Sequence, residues 1–155
     1  MNDIAPALPG LSGATAKQRI AAAEALGKAG NPAAAGPLGA LLNDRSIPVR
    51  AAVVRALGRL DDSAAVTFLV QALDDPEPSI RAAAVAGLGR IGDPAAAGPL
   101  ITCLKDRCME VRIGAAQVLG RLGSRDALKE LRLLQKDLFS DVREAASAAI
   151  KQLER

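Results

Sequence analysis

Few side chains in this sequence could carry out acid–base or metal chemistry. Histidine is absent, which removes the commonest general base and the commonest zinc ligand. The two cysteines, Cys103 and Cys108, provide too few ligands for a structural zinc site. The adjacent acids Asp61–Asp62 and Asp74–Asp75 are explained as turn residues. We therefore predict a protein without catalytic residues, metal or cofactor.

Basic residues form a second group of candidates, one in each repeat described below: Lys28, Arg59, Arg90 and Arg121. Such a row could contact a phosphate backbone or an acidic protein. However, cations also favour the C-terminal end of a helix, and no aromatic residue is interleaved for base stacking. We therefore favour a solvated helix end for this row and keep nucleic-acid binding as an alternative.

The charge is unevenly distributed along the chain. Residues 1–77 carry seven Lys/Arg and eight Asp/Glu, whereas residues 78–155 carry thirteen and nine. Any basic surface should therefore lie toward the C-terminal end, and the overall charge of +3 is only weak support for a polyanionic partner.

The sequence repeats with a period of 31 residues and without gaps. The repeats are 18–48, 49–79, 80–110 and 111–141, followed by a terminal helix at 142–155. An N-terminal cap segment at 1–17 precedes them. Each repeat carries an arginine near its start, a Leu-Gly or similar pair and a closing aspartate. Such a period is typical of stacked helical units that bury their apolar faces against one another.

Each repeat divides into two helices, A and B. In the second copy Val49, Val53, Ala56 and Leu60 recur at helical spacing and predict a buried face of helix A. A good N-cap residue precedes every helix B, and prolines six residues into two of the copies predict an irregular first turn there. The recurring glycine near the end of helix A indicates either a close helix neighbour or a simple helix end.

The unit VRAAVVRALGRLDD…LVQALDD resembles the HEAT-like repeat of the phycobilisome bilin lyases, and the resemblance covers residues 18–155. It implies an all-α fold, a right-handed α-solenoid of HEAT-like helix pairs. It also implies a structural ladder of aspartates and arginines six residues apart, such as Asp44 with Arg50. The metal-binding His-Glu motifs of the HEAT-like hydroxylases are missing, so their activity is not transferred.

In solenoids of this kind helix B lines the concave side, which is the side offered to partners. Its outward positions give the predicted partner-binding residues, which are Thr67, Val70, Gln71, Asp74, Ile101, Thr102, Lys105, Lys129, Arg132, Leu133 and Lys136. Apolar groups beside polar ones suit a protein contact. Cys103 falls in the inward column of helix B and should be buried, while Cys108 falls in a loop.

Together these observations predict a non-enzymatic scaffold or adaptor that binds a protein partner on the concave helix B surface. Two alternatives stay open, namely a chaperone-like bilin lyase subunit and a nucleic-acid-binding module. The sequence shows no signal peptide and no membrane segment, so we expect a cytoplasmic protein that is a monomer or a weak oligomer.

Overall fold

The structure is a computed structural model that describes residues 3–155. These residues form nine α-helices and no β-strand, as the repeat pattern predicted. The helices are α1 (Ala16–Ala29), α2 (Ala35–Gly39), α3 (Ile47–Arg59), α4 (Val66–Ala72), α5 (Pro78–Ile91), α6 (Ala97–Cys103), α7 (Met109–Leu122), α8 (Leu128–Leu134) and α9 (Ser140–Leu153). Long and short helices alternate, so the odd-numbered helices correspond to helix A and the even-numbered ones to helix B. The long helices begin 31 residues apart, so the period of the sequence is also the period of the fold.

The long helices form because each has one continuous apolar face. The predicted residues are all buried, namely Val49, Val53 and Ala56 in α3 and Leu60 directly after it. Each long helix starts two residues before the corresponding sequence repeat, directly after the residue at its N-cap position. At α1 that residue is Thr15, which forms a capping box with Gln18 and so satisfies helix N–H groups that have no partner inside the helix.

Each short helix begins with a 3-10 turn, which confirms the predicted irregular start. The four turns are Pro32–Ala34, Ser63–Ala65, Pro94–Ala96 and Arg125–Ala127. Since two of the four copies lack the inner proline, proline does not cause the turn. The side chains of Asn31, Asp62 and Asp93 cap these turns, whereas Ser124 occupies the same position without such a hydrogen bond.

The helix ends follow from backbone chemistry. Gly30, Gly92 and Gly123 end their helices at positive φ, which glycine adopts without strain. The equivalent residue of the second copy is Asp61, with φ of 52°. Aspartate is one of the few other residues that tolerate this conformation. The first four long helices are therefore followed by a residue that tolerates positive φ, which is glycine in three copies and aspartate in one.

The chain divides into two compact units, one ending at Ile91 and the other running from Gly92 to Arg155. In the first unit α1 packs on α3 and α3 packs on α5, while α4 packs against α5. A short 3-10 helix, Leu8–Ser12, lies on α1 and buries Leu11. In the second unit α7 packs on α9, and α6 and α8 pack against the long helix that follows each of them. The division of the chain at residue 17, and the repeat bounds drawn from the sequence, stay predictions.

Candidate partner-binding surface

The helix B surface of the first unit consists of Thr67, Val70, Gln71 and Asp74 on and just after α4. The side chains of Thr67, Gln71 and Asp74 are exposed, and that of Val70 is half-buried. They reach the surface because Leu69, Ala72 and Leu73 turn the opposite face of α4 into the core. The outward positions derived from helical spacing are thus accessible to a partner.

A cavity of about 460 Å³ opens beside this surface. It is lined by Leu42, Asn43, Arg50, Gln71, Ala72, Asp74, Asp75 and Pro76. Within residues 3–155 the side chains of Asn43, Gln71 and Asp74 form no hydrogen bond or ion pair. These three polar groups are therefore available to a ligand, while Arg50 and Asp75 on the cavity wall are bonded to each other.

The helix B surface of the second unit consists of Ile101, Thr102, Lys105, Lys129, Arg132, Leu133 and Lys136. Ile101 is half-buried, and the side chains of the other residues are exposed. Leu133 is 61% exposed among these polar neighbours. The surface is less basic than its sequence suggests, because two cations have acidic partners. Lys105 lies 3.9 Å from Glu130, and Arg132 lies 2.9 Å from Glu154.

Below these surfaces, arginines near the start of the long helices bind aspartates of the following loop. Arg19 donates to both carboxylate oxygens of Asp44, at 2.6 and 3.1 Å. The same bidentate geometry joins Arg50 to Asp75 and Arg112 to Asp137. These partners are 25 residues apart, so the pairing six residues apart that the family resemblance implied is wrong for the carboxylates.

The separation of six residues has a different structural meaning. Arg50 Nη1 donates to the main-chain carbonyl of Asp44 at 2.9 Å, and Arg19, Arg112 and Arg143 make equivalent contacts six residues back. Arg50 and Arg112 make both kinds of contact to aspartates. In each case one guanidinium bonds the main-chain carbonyl of the aspartate in the loop before its own helix and the carboxylate of the aspartate in the loop after the following short helix. We refer to this arrangement as the arginine ladder.

The surroundings of the ladder aspartates favour their anionic form. The hydrogen bond from Arg19 is the main reason that the pKa of Asp44 is lowered. Burial acts to raise the pKa of Asp75 and of Asp137, but hydrogen bonds from arginine and from a loop N–H outweigh it, and both pKa values are lowered. The ladder therefore stabilises loop geometry, and its members are already satisfied by one another.

Within residues 3–155 the two cysteines have different surroundings. Cys103 is buried in the inward column, as predicted. Cys108 is half-buried, and its thiol donates to Glu110, which lowers the pKa of that carboxyl. In the part of the chain that the structure describes, no three metal-binding side chains lie close enough to hold an ion. Across the same residues no helix is both long and apolar enough to cross a membrane.

Sequence reasoning missed an apolar group in the last loop. Leu138 is 92% exposed and Phe139 is 48% exposed. The equivalent positions of the third copy are Arg107 and Cys108. The ring of Phe139 lies 5.9 Å from the guanidinium carbon of Arg112. A comparison of equivalent loop positions between the copies would have shown the replacement of Arg107 and Cys108 by two apolar residues. The prediction of exposed residues used helical spacing, which applies to helices and not to loops.

Comparison with known protein families identifies the repeat. The family described as HEAT repeats matches residues 4–81 and 66–151. Among curated protein sequences, none matches this chain.

Solved structures similar to this chain are helical-repeat proteins. A chain in the complex of CpcE and CpcF of phycocyanin lyase from Nostoc sp. PCC7120 is 28% identical with a TM-score of 0.81; the match covers 99% of this chain and 65% of that one. A designed armadillo repeat protein in complex with the peptide (KR)4 is 23% identical with a TM-score of 0.73, covering 97% and 81%. Human deoxyhypusine hydroxylase is 19% identical with a TM-score of 0.57, covering 97% and 73%. The last two similarities concern the fold alone.

Proposed function

Because this chain belongs to the HEAT-repeat family, we propose that it is a non-enzymatic scaffold or adaptor that binds a protein partner on its helix B surface, in a cytoplasmic setting. The observation that carries the proposal is the cavity beside α4. Asn43, Gln71 and Asp74 line it, and none of these three side chains is bonded within the described residues. Polar groups that the fold leaves unused, next to the half-buried Val70, are the mixture found at protein interfaces.

The second unit supports the same proposal. Leu133 is exposed beside Lys129 and Lys136, and single exposed cations at the rim of an apolar contact raise the rate of association with an acidic partner. The designed armadillo protein that shares this fold was solved with a bound peptide. A polypeptide ligand bound to a fold of this kind supports the proposal.

The proposal is tested by placing carboxylates at exposed residues outside the core and the ion pairs. We expect Thr67→Glu/Thr102→Glu/Lys136→Glu to reduce capture of the native partner at least tenfold, because the three new carboxylates would repel an acidic partner and would be costly to bury in the contact. The measurement is quantitative affinity capture from the native cell, compared with the unmodified protein.

The matched control is Ala25→Glu/Gln117→Glu/Lys151→Glu, which changes the net charge equally at exposed positions on the long helices α1, α7 and α9. It should capture the partner as the unmodified protein does. If both variants captured the partner as well as the unmodified protein does, the helix B surface would be removed from the proposal. If both lost capture to the same extent, the effect would be a general one of charge.

A second candidate is a subunit of a lyase complex, which the similarity to the phycocyanin lyase structure favours. This chain spans only 65% of that chain, and it lacks histidine and tyrosine. In this case the protein partner would be the other subunit or the tetrapyrrole-bearing acceptor. Adding a bilin and its acceptor protein should then change the visible absorbance, and an unchanged spectrum would contradict this candidate.

A further inference from the structure

The first unit carries a groove that helix B does not form. It lies between the long helices α3 and α5, encloses about 210 Å³, and is lined by Val54, Arg55, Gly58, Arg59, Ala83, Ala86, Gly87 and Arg90. We call it the arginine groove. The basic row Lys28, Arg59, Arg90 and Arg121 contributes two of its residues, and Arg55 was not part of that row.

The floor of the arginine groove is made of backbone and small side chains. A Cβ added to Gly58 would lie 3.0 Å from Gly87 Cα, so the two helices cross in direct main-chain contact there. Ala83 and Ala86 flank the crossing. Since none of these residues has a long side chain, a ligand can approach the helix backbones closely.

The walls of the groove are three arginines, Arg55, Arg59 and Arg90, all exposed. Within residues 3–155 they make no ion pair or side-chain hydrogen bond, and no acid lines the groove. Arg50, on the same helix α3, is by contrast bonded bidentately to Asp75. The helix dipole explains a cation in the last turn, as at Arg59 and Arg90. It does not explain Arg55, which lies in the middle of its helix.

Guanidinium groups bind carboxylates and phosphates through paired N–H donors. A nucleic acid fits poorly here, because residues 1–91 carry nine basic and eight acidic residues and therefore lack the strong positive field such ligands require. No aromatic side chain lines the groove for base stacking either. A short segment with a few carboxylates needs neither feature.

We propose that the arginine groove binds an acidic peptide segment of a partner protein, with carboxylates bridging Arg59 to Arg90 and reaching Arg55. Packed helices are about 8–10 Å apart. A polyproline II segment rises about 3.1 Å per residue with three residues per turn, so it presents every third side chain on one side at about 9 Å spacing. An acid at every third residue would therefore place successive carboxylates about one helix-to-helix distance apart, as contacts to both α3 and α5 require.

The test uses fluorescein-labelled (Glu-Pro-Pro)4 and its uncharged counterpart (Gln-Pro-Pro)4, measured by fluorescence anisotropy with the full chain at low and physiological salt. The acidic peptide should bind at least tenfold more tightly than the neutral one. The variant Arg55→Gln/Arg59→Gln/Arg90→Gln should weaken binding of the acidic peptide at least tenfold. Its melting temperature should stay within about 2 °C of the unmodified protein, because these residues are exposed.

The matched control Arg45→Gln/Arg107→Gln/Arg125→Gln removes the same charge at exposed positions elsewhere, and it should bind within twofold of the unmodified protein. Equal weakening by both variants would overturn the proposal in favour of general attraction. A twelve-nucleotide oligothymidylate could instead bind more tightly than the acidic peptide and lose this binding in the Arg55→Gln/Arg59→Gln/Arg90→Gln variant. That result would overturn the proposal in favour of nucleic acid. The Thr67→Glu/Thr102→Glu/Lys136→Glu variant should bind the peptide normally, which separates this surface from the helix B surface.

Discussion

At the scale of single residues, the glycines near the ends of α1 and α7 have a packing role. A Cβ at Gly27 would lie 2.7 Å from Ala56 Cα, and one at Gly120 would lie 3.0 Å from Ala149 Cα. Both distances are to main-chain atoms of the neighbouring long helix, which cannot move aside as a flexible side chain would. Of the two explanations that the sequence left open, the close helix neighbour is correct at these positions.

Gly27→Ala should therefore destabilise the protein by up to about 2 kcal/mol. Alanine gains about 1 kcal/mol of helix propensity, but separating α1 from α3 costs about 1–3 kcal/mol. The free energy of unfolding is measured in urea. As a neighbouring control, Lys28→Ala is exposed in the same helical turn and should change stability by less than about 0.5 kcal/mol. A Gly27→Ala protein more stable than the unmodified one would show that the glycine merely ends the helix.

At the scale of helices and loops, the arginine ladder joins elements that are not neighbours in sequence. The side chains of Arg50 and Asp75 are 12% and 7% exposed, and the bidentate geometry orients both loops. Removing one partner of a buried ion pair lowers the free energy of unfolding by more than the intact pair contributes to it, because the remaining charge is buried without a partner.

We expect Arg50→Lys to lower the free energy of unfolding by about 2–3 kcal/mol although it keeps the charge, because an ammonium group cannot form the paired contacts to Asp75 and reach the carbonyl of Asp44. Urea unfolding measures this change. Arg55→Lys, exposed on the same helix, should alter stability by less than about 0.5 kcal/mol. Similar losses in both variants would mean that the ladder geometry does not matter.

At the scale of the whole molecule, the ladder makes stability depend on pH. The pKa values of Asp44, Asp75 and Asp137 are lowered in the folded chain, below a reference value of 3.8. Acids with a depressed folded pKa contribute stability above the unfolded pKa and lose it as pH falls through the folded pKa. Stability should therefore be flat between pH 7 and 5 and should fall below about pH 4.

The check is a series of urea midpoints at pH 7, 5, 4 and 3. Asp75→Asn should be less stable at pH 7 and should lose less on acidification, because one titrating group has been removed. Asp126→Asn, which removes an exposed acid, should follow the unmodified protein. A decline that begins well above pH 5 would indicate that other groups control acid unfolding.

Much of the fold could be predicted because the repeat supplies the same local information several times. The apolar face of α3, the capping positions and the glycine helix ends all depend on residues within about one helical turn of one another, and helix geometry relates such residues directly. The outward positions of helix B follow from the same geometry, and in the structure they are exposed or, at Val70 and Ile101, half-buried. Whether a partner contacts them stays a prediction.

The sequence by itself determined the all-α repeat class, the 31-residue period and the division of each repeat into two helices. Only the tertiary structure decided which aspartate each arginine binds, which polar side chains remain unbonded in the cavity beside α4, and that Arg55 joins Arg59 and Arg90 in one groove. These facts depend on distances between residues 25 or more positions apart or between helices. Such distances arise from packing of long side chains across elements, and no local spacing rule fixes them.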